Sequence, residues 1–208
     1  MRGNDMFTGI VQKMAPLLSV TPLGACLRVR IRKPFGWKLA LGQSIAVDGV
    51  CSTITKISPS TRSGRKSKSF FEVDYMPETL AKTTAKMFKK NKIVNLERSL
   101  TLKDFVDGGL VQGHIDARST VERVEKIGET ALLEITIPGV LKKYIAPIGS
   151  VTVNGVNLTV AQVKKNTFSV VLIPYTLEHT NLGLLKNGDV VNVEADMLAR
   201  YIVAALTK

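Results

Sequence analysis

The stretch "SIAVDGVCSTITKI" at residues 44–57 is written a second time as "SVTVNGVNLTVAQV" at residues 150–163. Each copy alternates apolar with small or polar residues, reaches Asp48-Gly49 or Asn154-Gly155, and resumes alternating. Alternation at period two is the pattern of a half-buried strand. Asp-Gly and Asn-Gly between such runs are the strongest short-range hairpin signals. Two hairpins of one design point to a duplicated β unit. The copies part company two residues past the turn glycine, where Cys51 in the first is Asn157 in the second.

The likeness extends outward from the hairpins. "MFTGIVQ" at 6–12 is echoed by "LVQGHID" at 110–116, with Gly9 answering Gly113. "FFEVDYMPETLAKTT" at 70–84 is echoed by "TFSVVLIPYTLEHTN" at 167–181, and "VNLE" at 94–97 by "VNVE" at 191–194. The spacing between matched residues drops from 106 to 97 across the middle, so the first copy carries about nine extra residues. They fall in "SPSTRSGRKSKS" at 58–69, a Ser, Gly and basic composition that cannot bury itself and reads as a mobile, dispensable loop. Short strands with turn signals between them predict a small barrel or sandwich per copy. The Pro-led stretches after Pro77 and Pro174 predict short helical turns. Two copies are too few for a solenoid. The predicted units are 1–102, 103–195 and a terminal helix over 196–208. In that helix Asp196 is a fair N-cap, and Leu198, Tyr201, Ile202, Ala205 and Leu206 share one face. A helix so short is marginal alone, and its spacing suggests packing against copies of itself.

Composition narrows the function. Of 208 residues, 45% are hydrophobic, which suits a globular chain, and no apolar run approaches a membrane span. "MRGND" has no apolar stretch behind it and does not read as a secretory signal, so the cytoplasm is the expected location. Two cysteines make no disulfide framework, and two distant histidines with no CxxC argue against a zinc site. The net charge of +12 lies wholly in residues 1–102, where 18 Lys and Arg face 6 Asp and Glu. A nucleic-acid or acidic partner is one reading of that excess. A lysine-rich soluble surface is the other, favoured because the basic stretches lack interleaved aromatics.

Taken in order, "MFTGIVQ", "SIAVDGVC", "QGHID", "GVNLTV", "IPYTLEHT" and "VNVEADMLARYI" resemble the riboflavin synthase alpha chain, a family shared with the lumazine proteins. The resemblance covers the chain after Met6. It implies an all-β fold of two similar six-stranded antiparallel Greek-key β-barrels plus a C-terminal α-helix that joins a homotrimer. It implies a transferase that dismutates two 6,7-dimethyl-8-(D-ribityl)lumazine molecules to riboflavin and 5-amino-6-(D-ribitylamino)uracil, without metal or cofactor. An association with lumazine synthase is open. No membrane or nucleic-acid partner is implied.

Carried over by position, the first pocket would use Gly9, Ile10 and Val11, then Cys51, Ser52 and Thr53, then Asp74, Tyr75, Met76, Pro77, Glu78 and Thr79, with Glu78 on ribityl hydroxyls. The second would use Gly113, His114 and Ile115, then Asn157, Leu158 and Thr159, then Leu172, Ile173, Pro174, Tyr175, Thr176 and Leu177. Ser44, Cys51, His114 and Asp196 are the candidate catalytic residues, and Phe7 would sit at the interface between pockets. Read without the family, Cys51 is a small buried hydrophobe, Ser44 a strand-edge residue, Phe7 core and Asp196 a helix cap.

The chain also departs from the family pattern. Asn154 and Asn157 stand where an acid and a serine are usual, Ile148 where lysine is, Gly109 where histidine is, and Ser52 where leucine is. Asparagine keeps hydrogen bonding but is neither a carboxylate base nor a hydroxyl nucleophile. Binding with slow turnover is therefore expected. A non-catalytic lumazine- or flavin-binding protein of the same fold is the alternative.

Overall fold

A computed structural model of the chain describes residues 6–58 and 69–207. The expectation of a mobile insertion at 58–69 falls, apart from its two end residues, outside the described residues.

Six strands close the first barrel: β1 (Lys13–Leu23), β2 (Cys26–Arg32), β3 (Ser44–Val47), β4 (Val50–Ile57), β5 (Phe70–Tyr75) and β6 (Ile93–Arg98). Around the barrel they run β1-β2-β5-β4-β3-β6, all antiparallel, so β6 returns beside β3 in Greek-key order. The second barrel repeats this with β7 (Ala117–Ile127), β8 (Thr130–Thr136), β9 (Ser150–Val153), β10 (Val156–Val163), β11 (Thr167–Leu172) and β12 (Val190–Ala195). The quoted hairpins are β3–β4 and β9–β10, each turning on a residue at positive φ, Asp48 or Asn154, followed by glycine. Register shifts at Leu17/Ser19 and Ile54/Lys56 recur at Val121/Arg123 and Val160/Gln162. Such bulges supply the bending that a closed small barrel needs.

Alternation decides which side chains fill each barrel. In β4, Val50, Ser52 and Ile54 are buried while Thr53 and Thr55 are exposed. Leu17, Ile31, Phe71 and Leu96 anchor the first core, and Leu133, Ile135, Phe168 and Leu172 the second. Each such side chain contributes about 1.5–3 kcal/mol when fully buried. Two of the five cations in residues 28–38 are matched across strands. Arg28 grips Asp74 at 2.8 and 2.7 Å, and Arg30 meets Glu72 at 2.7 Å and stacks over Phe70. The helices are α1 (Pro77–Lys82), α2 (Pro174–His179) and α3 (Met197–Leu206), the first two started by the prolines the sequence marks.

The barrels meet through a reciprocal polar seam. Asn95 donates to the Asn154 carbonyl at 2.9 Å, and Asn192 donates to the Asp48 carbonyl at 2.8 Å. The Asn95 side chain accepts from the Asn181 N–H, and that of Asn192 from the Thr84 N–H, both at 2.7 Å. These are the asparagines of the repeated "VN". The two turn glycines lie back to back: a Cβ on Gly49 would stand 2.6 Å from the Gly155 nitrogen, and one on Gly155 2.7 Å from the Gly49 nitrogen.

Candidate functional site at crossed barrel mouths

The opening segment of each copy crosses to the other copy's barrel. Phe7 and Val111 pair antiparallel where the segments pass, at 2.7 and 3.0 Å. Beyond that point Asn157 N–H donates to the Gly9 carbonyl, and Cys51 N–H to the Gly113 carbonyl, each at 2.9 Å. Val11 packs on the second core and Ile115 belongs to the first. Both glycines have φ near +75°, and a Cβ on either would lie within 3 Å of Asn157 or Cys51, so only glycine serves.

A buried glutamate at the end of each sixth strand holds the crossing in place. Glu97 accepts from the Thr8 N–H at 2.6 Å, the Thr8 hydroxyl at 2.7 Å and the Gly9 N–H at 3.0 Å. Glu194 accepts from Gln112 N–H at 2.9 Å and Gly113 N–H at 3.0 Å. Burial pushes both carboxyls upward, Glu194 to about 7, against the opposing pull of those donors. The glutamates were legible only as the repeated last letter of "VNLE" and "VNVE", an acid closing an apolar strand twice.

At the mouth of the first barrel a cavity of about 150 Å³ is walled by Val50, Cys51, Glu78, Thr79, Lys82, Thr83, Gly113, His114 and Ile115. It joins a strand position after the turn, the exposed side of α1 and the crossing segment. Glu78 is already paired with Lys82 at 3.0 Å. The corresponding pair on α2 is Tyr175 stacked on His179, with ring centroids 4.0 Å apart. Two mouths of one architecture are therefore lined by different chemistry. Neither cysteine is in a disulfide, and no cluster suited to a metal ion occurs among the described residues. A larger cleft of about 280 Å³, walled by Met87, Lys92, Asn154, Asn181 and Asp189, belongs to the seam between barrels.

The family model of the lumazine binding domain matches the chain twice, over residues 8–99 and 112–196. The riboflavin synthase of Brucella abortus (strain 2308) is 38% identical over 197 residues, covering 94% of this chain and 96% of that protein. The chain belongs to the riboflavin synthase family. The riboflavin synthase of Bacillus subtilis (strain 168) is 32% identical over 204 residues, spanning 98% of this chain and 91% of the relative. The solved structure of LumP complexed with riboflavin superposes with a TM-score of 0.80 at 24% identity, over 91% of this chain and 98% of LumP, a likeness of fold.

The residues named from the family pattern lie as follows. Residues 9–11 lie against the second barrel, beside Asn157, and residues 113–115 against the first, beside Cys51. Tyr75 and Leu172 point inward by strand alternation and are core, with 2% and 0% exposure. The Tyr75 hydroxyl sits 3.2 Å from Ser52 Oγ, itself turned into the barrel. Phe7 is fully buried within one chain against Ala46 and Val111, which leaves it no surface for a neighbour's pocket. Asp74 is occupied by Arg28. Asn154 lies in the seam, and Ile148 is a solvent-facing turn residue at φ 66°. Ser44 opens β3 opposite Thr53, and Asp196 caps α3 by accepting from the Leu198 N–H at 2.9 Å; neither walls the first cavity. Gly109 does touch the second site, since a Cβ there would stand 2.7 Å from the Asn157 amide nitrogen.

Proposed function

We propose that this chain is a riboflavin synthase, converting two molecules of 6,7-dimethyl-8-(D-ribityl)lumazine into riboflavin and 5-amino-6-(D-ribitylamino)uracil by transfer of four carbons. The observation that carries the reading is the doubled crossing, in which each barrel's hairpin binds the other copy's glycine segment, Cys51 to Gly113 and Asn157 to Gly9, with the proline-led α1 joining the first of them at a cavity. A reaction between two identical molecules calls for two like pockets. The full-length kinship with riboflavin synthases points the same way.

The first cavity is smaller than the roughly 300 Å³ at the low end of small-molecule sites. In this reading a neighbour's second barrel closes it, in a cytoplasmic homotrimer joined through α3, whose Leu198, Tyr201, Ile202 and Leu206 are more than half exposed. The working units are residues 1–102, 103–195 and 196–208. Holding two rings face to face supplies proximity and orientation, the main contribution available to such a site. The ligand's 7-methyl group is acidic because its anion delocalises into the ring. Cys51 and His114 are wall groups of the first pocket able to exchange that proton, Glu78 and Lys82 being paired with each other. Glu78 and Thr79 face the ribityl chain, and Asn157, Thr159, Tyr175 and Thr176 do the corresponding work in the second pocket.

A second reading, a lumazine- or flavin-binding protein without turnover, is favoured by Asn157, which puts a carboxamide where the family has a hydroxyl. The test follows riboflavin absorbance from pure lumazine with no added metal or nucleotide. Slow turnover is expected, and Asn157→Ser should raise the rate while leaving affinity little changed. Tight stoichiometric binding with no turnover in either protein would favour the second reading.

A further inference from the structure

Helix α3 buries none of its residues completely, and most of its apolar side chains face outward. One residue of its inner side, Arg200, reaches back to the barrel. Arg200 Nη2 donates to the His114 carbonyl at 3.1 Å and to Asp116 Oδ2 at 2.8 Å, and lies 4.0 Å from Glu194 Oε1. Each of these acceptors is tied to the backbone around it. Asp116 Oδ2 also accepts from Ala195 N–H at 2.8 Å, and Glu194 holds the N–H groups of Gln112 and Gly113. One cation therefore stands where the end of β12, the first turns of α3 and the second crossing segment meet. The next atoms along that segment are the wall of the first pocket, and the Gly113 carbonyl takes the Cys51 N–H.

The other crossing lacks this connection. Gln12 stands where Asp116 does, and its Oε1 accepts from Arg98 Nε at 3.1 Å, a residue of β6 with no helix attached to it. The asymmetry makes the two pockets each other's control.

We propose that Arg200 is a positioning residue that couples α3 to the first pocket by fixing the segment that carries His114 and Ile115. The proposal rests on the reading of that pocket as a ribityllumazine and flavin site. Packing of α3 against other chains would then be felt at one pocket of each chain and not at the other. Arg200 Nε is buried without a partner among the described residues, so the guanidinium works through a single nitrogen. A lysine keeps the charge on a side chain one bond shorter, and Arg200→Lys should restore part of what Arg200→Met removes.

The experiment uses the full chain and two readouts. Riboflavin is titrated and its fluorescence quenching followed. Amide hydrogen exchange is measured over residues 112–116, with residues 8–12 as the internal control. Arg200→Met should weaken one binding step about tenfold and leave the other unchanged. It should also speed exchange at 112–116 at least tenfold while 8–12 stays as in wild type. Unchanged exchange at 112–116 overturns the proposal, as does an equal rise at both segments or an equal loss in both binding steps. If wild type binds neither riboflavin nor the lumazine, the ligand reading fails, and the exchange comparison still decides whether Arg200 positions the segment.

Discussion

Replacing Asp48 by asparagine removes a buried charge without removing a hydrogen bond. Asp48 is wholly buried in the seam, where Oδ1 accepts from Asn95 N–H and from Asn181 Nδ2, both at 2.8 Å. Among the described residues its Oδ2 has no hydrogen-bond partner, and Lys92 Nζ is 4.0 Å away. Burial, opposed first by the Lys92 charge and then by the two donors, raises the carboxyl from 3.8 to about 6. Two units at about 1.36 kcal/mol each make a folded-state cost of roughly 3 kcal/mol. The folded pKa lies above the unfolded one. The cost is therefore absent below 3.8, grows as pH rises towards 6, and is constant above that. An asparagine places its carbonyl at Oδ1 and its NH2 at the orphaned Oδ2. The second copy already does this, since Asn154 Oδ1 accepts from Asn192 N–H at 2.8 Å. Lys92 is partly exposed, and losing its partner costs less than about 1 kcal/mol. Asp48→Asn should gain about 1–3 kcal/mol in urea denaturation at pH 7.5 and almost nothing near pH 3.5. A variant less stable than wild type at pH 7.5, or a gain equal at both values, would refute this account.

Other outcomes follow from the same structure. Gly49→Ala drives a Cβ into the Gly155 backbone from a residue at φ 79°, and should cost at least about 3 kcal/mol, read as a lowered urea midpoint. Ile148→Gly relieves a β-branched residue in the left-handed region while losing no packing, since the side chain is 85% exposed. It should stabilise by about 1 kcal/mol by the same assay, after allowance for glycine's extra unfolded-state freedom. Deleting residues 197–208 should leave monomers by light scattering, and an unchanged oligomer would show that α3 is not the joint.

The duplication, the two hairpins, the proline-led helices and the closing helix could all be read along the chain. Each is a local pattern: alternation, an Asp-Gly or Asn-Gly turn, a proline at a helix start, an N-cap before an apolar stripe. The elements of the site were legible for the same reason, because Cys51 and Asn157 follow turn dipeptides and Glu78 and Tyr175 follow prolines. What tertiary structure decided is which copy serves which barrel. Segments 6–12 and 110–116 share the glycine, Gly9 or Gly113, and neither carries a local pattern that names its mouth. Glu97 and Glu194 hold each segment at the end of its own copy's last strand, and from there its glycine carbonyl takes the N–H of the other copy's hairpin. The "VN" asparagines, the inward turn of Tyr75 and Leu172, and the hold of Arg200 on His114 belong to the same class. They depend on which groups lose water when two barrels close and meet, and no local pattern carries that information.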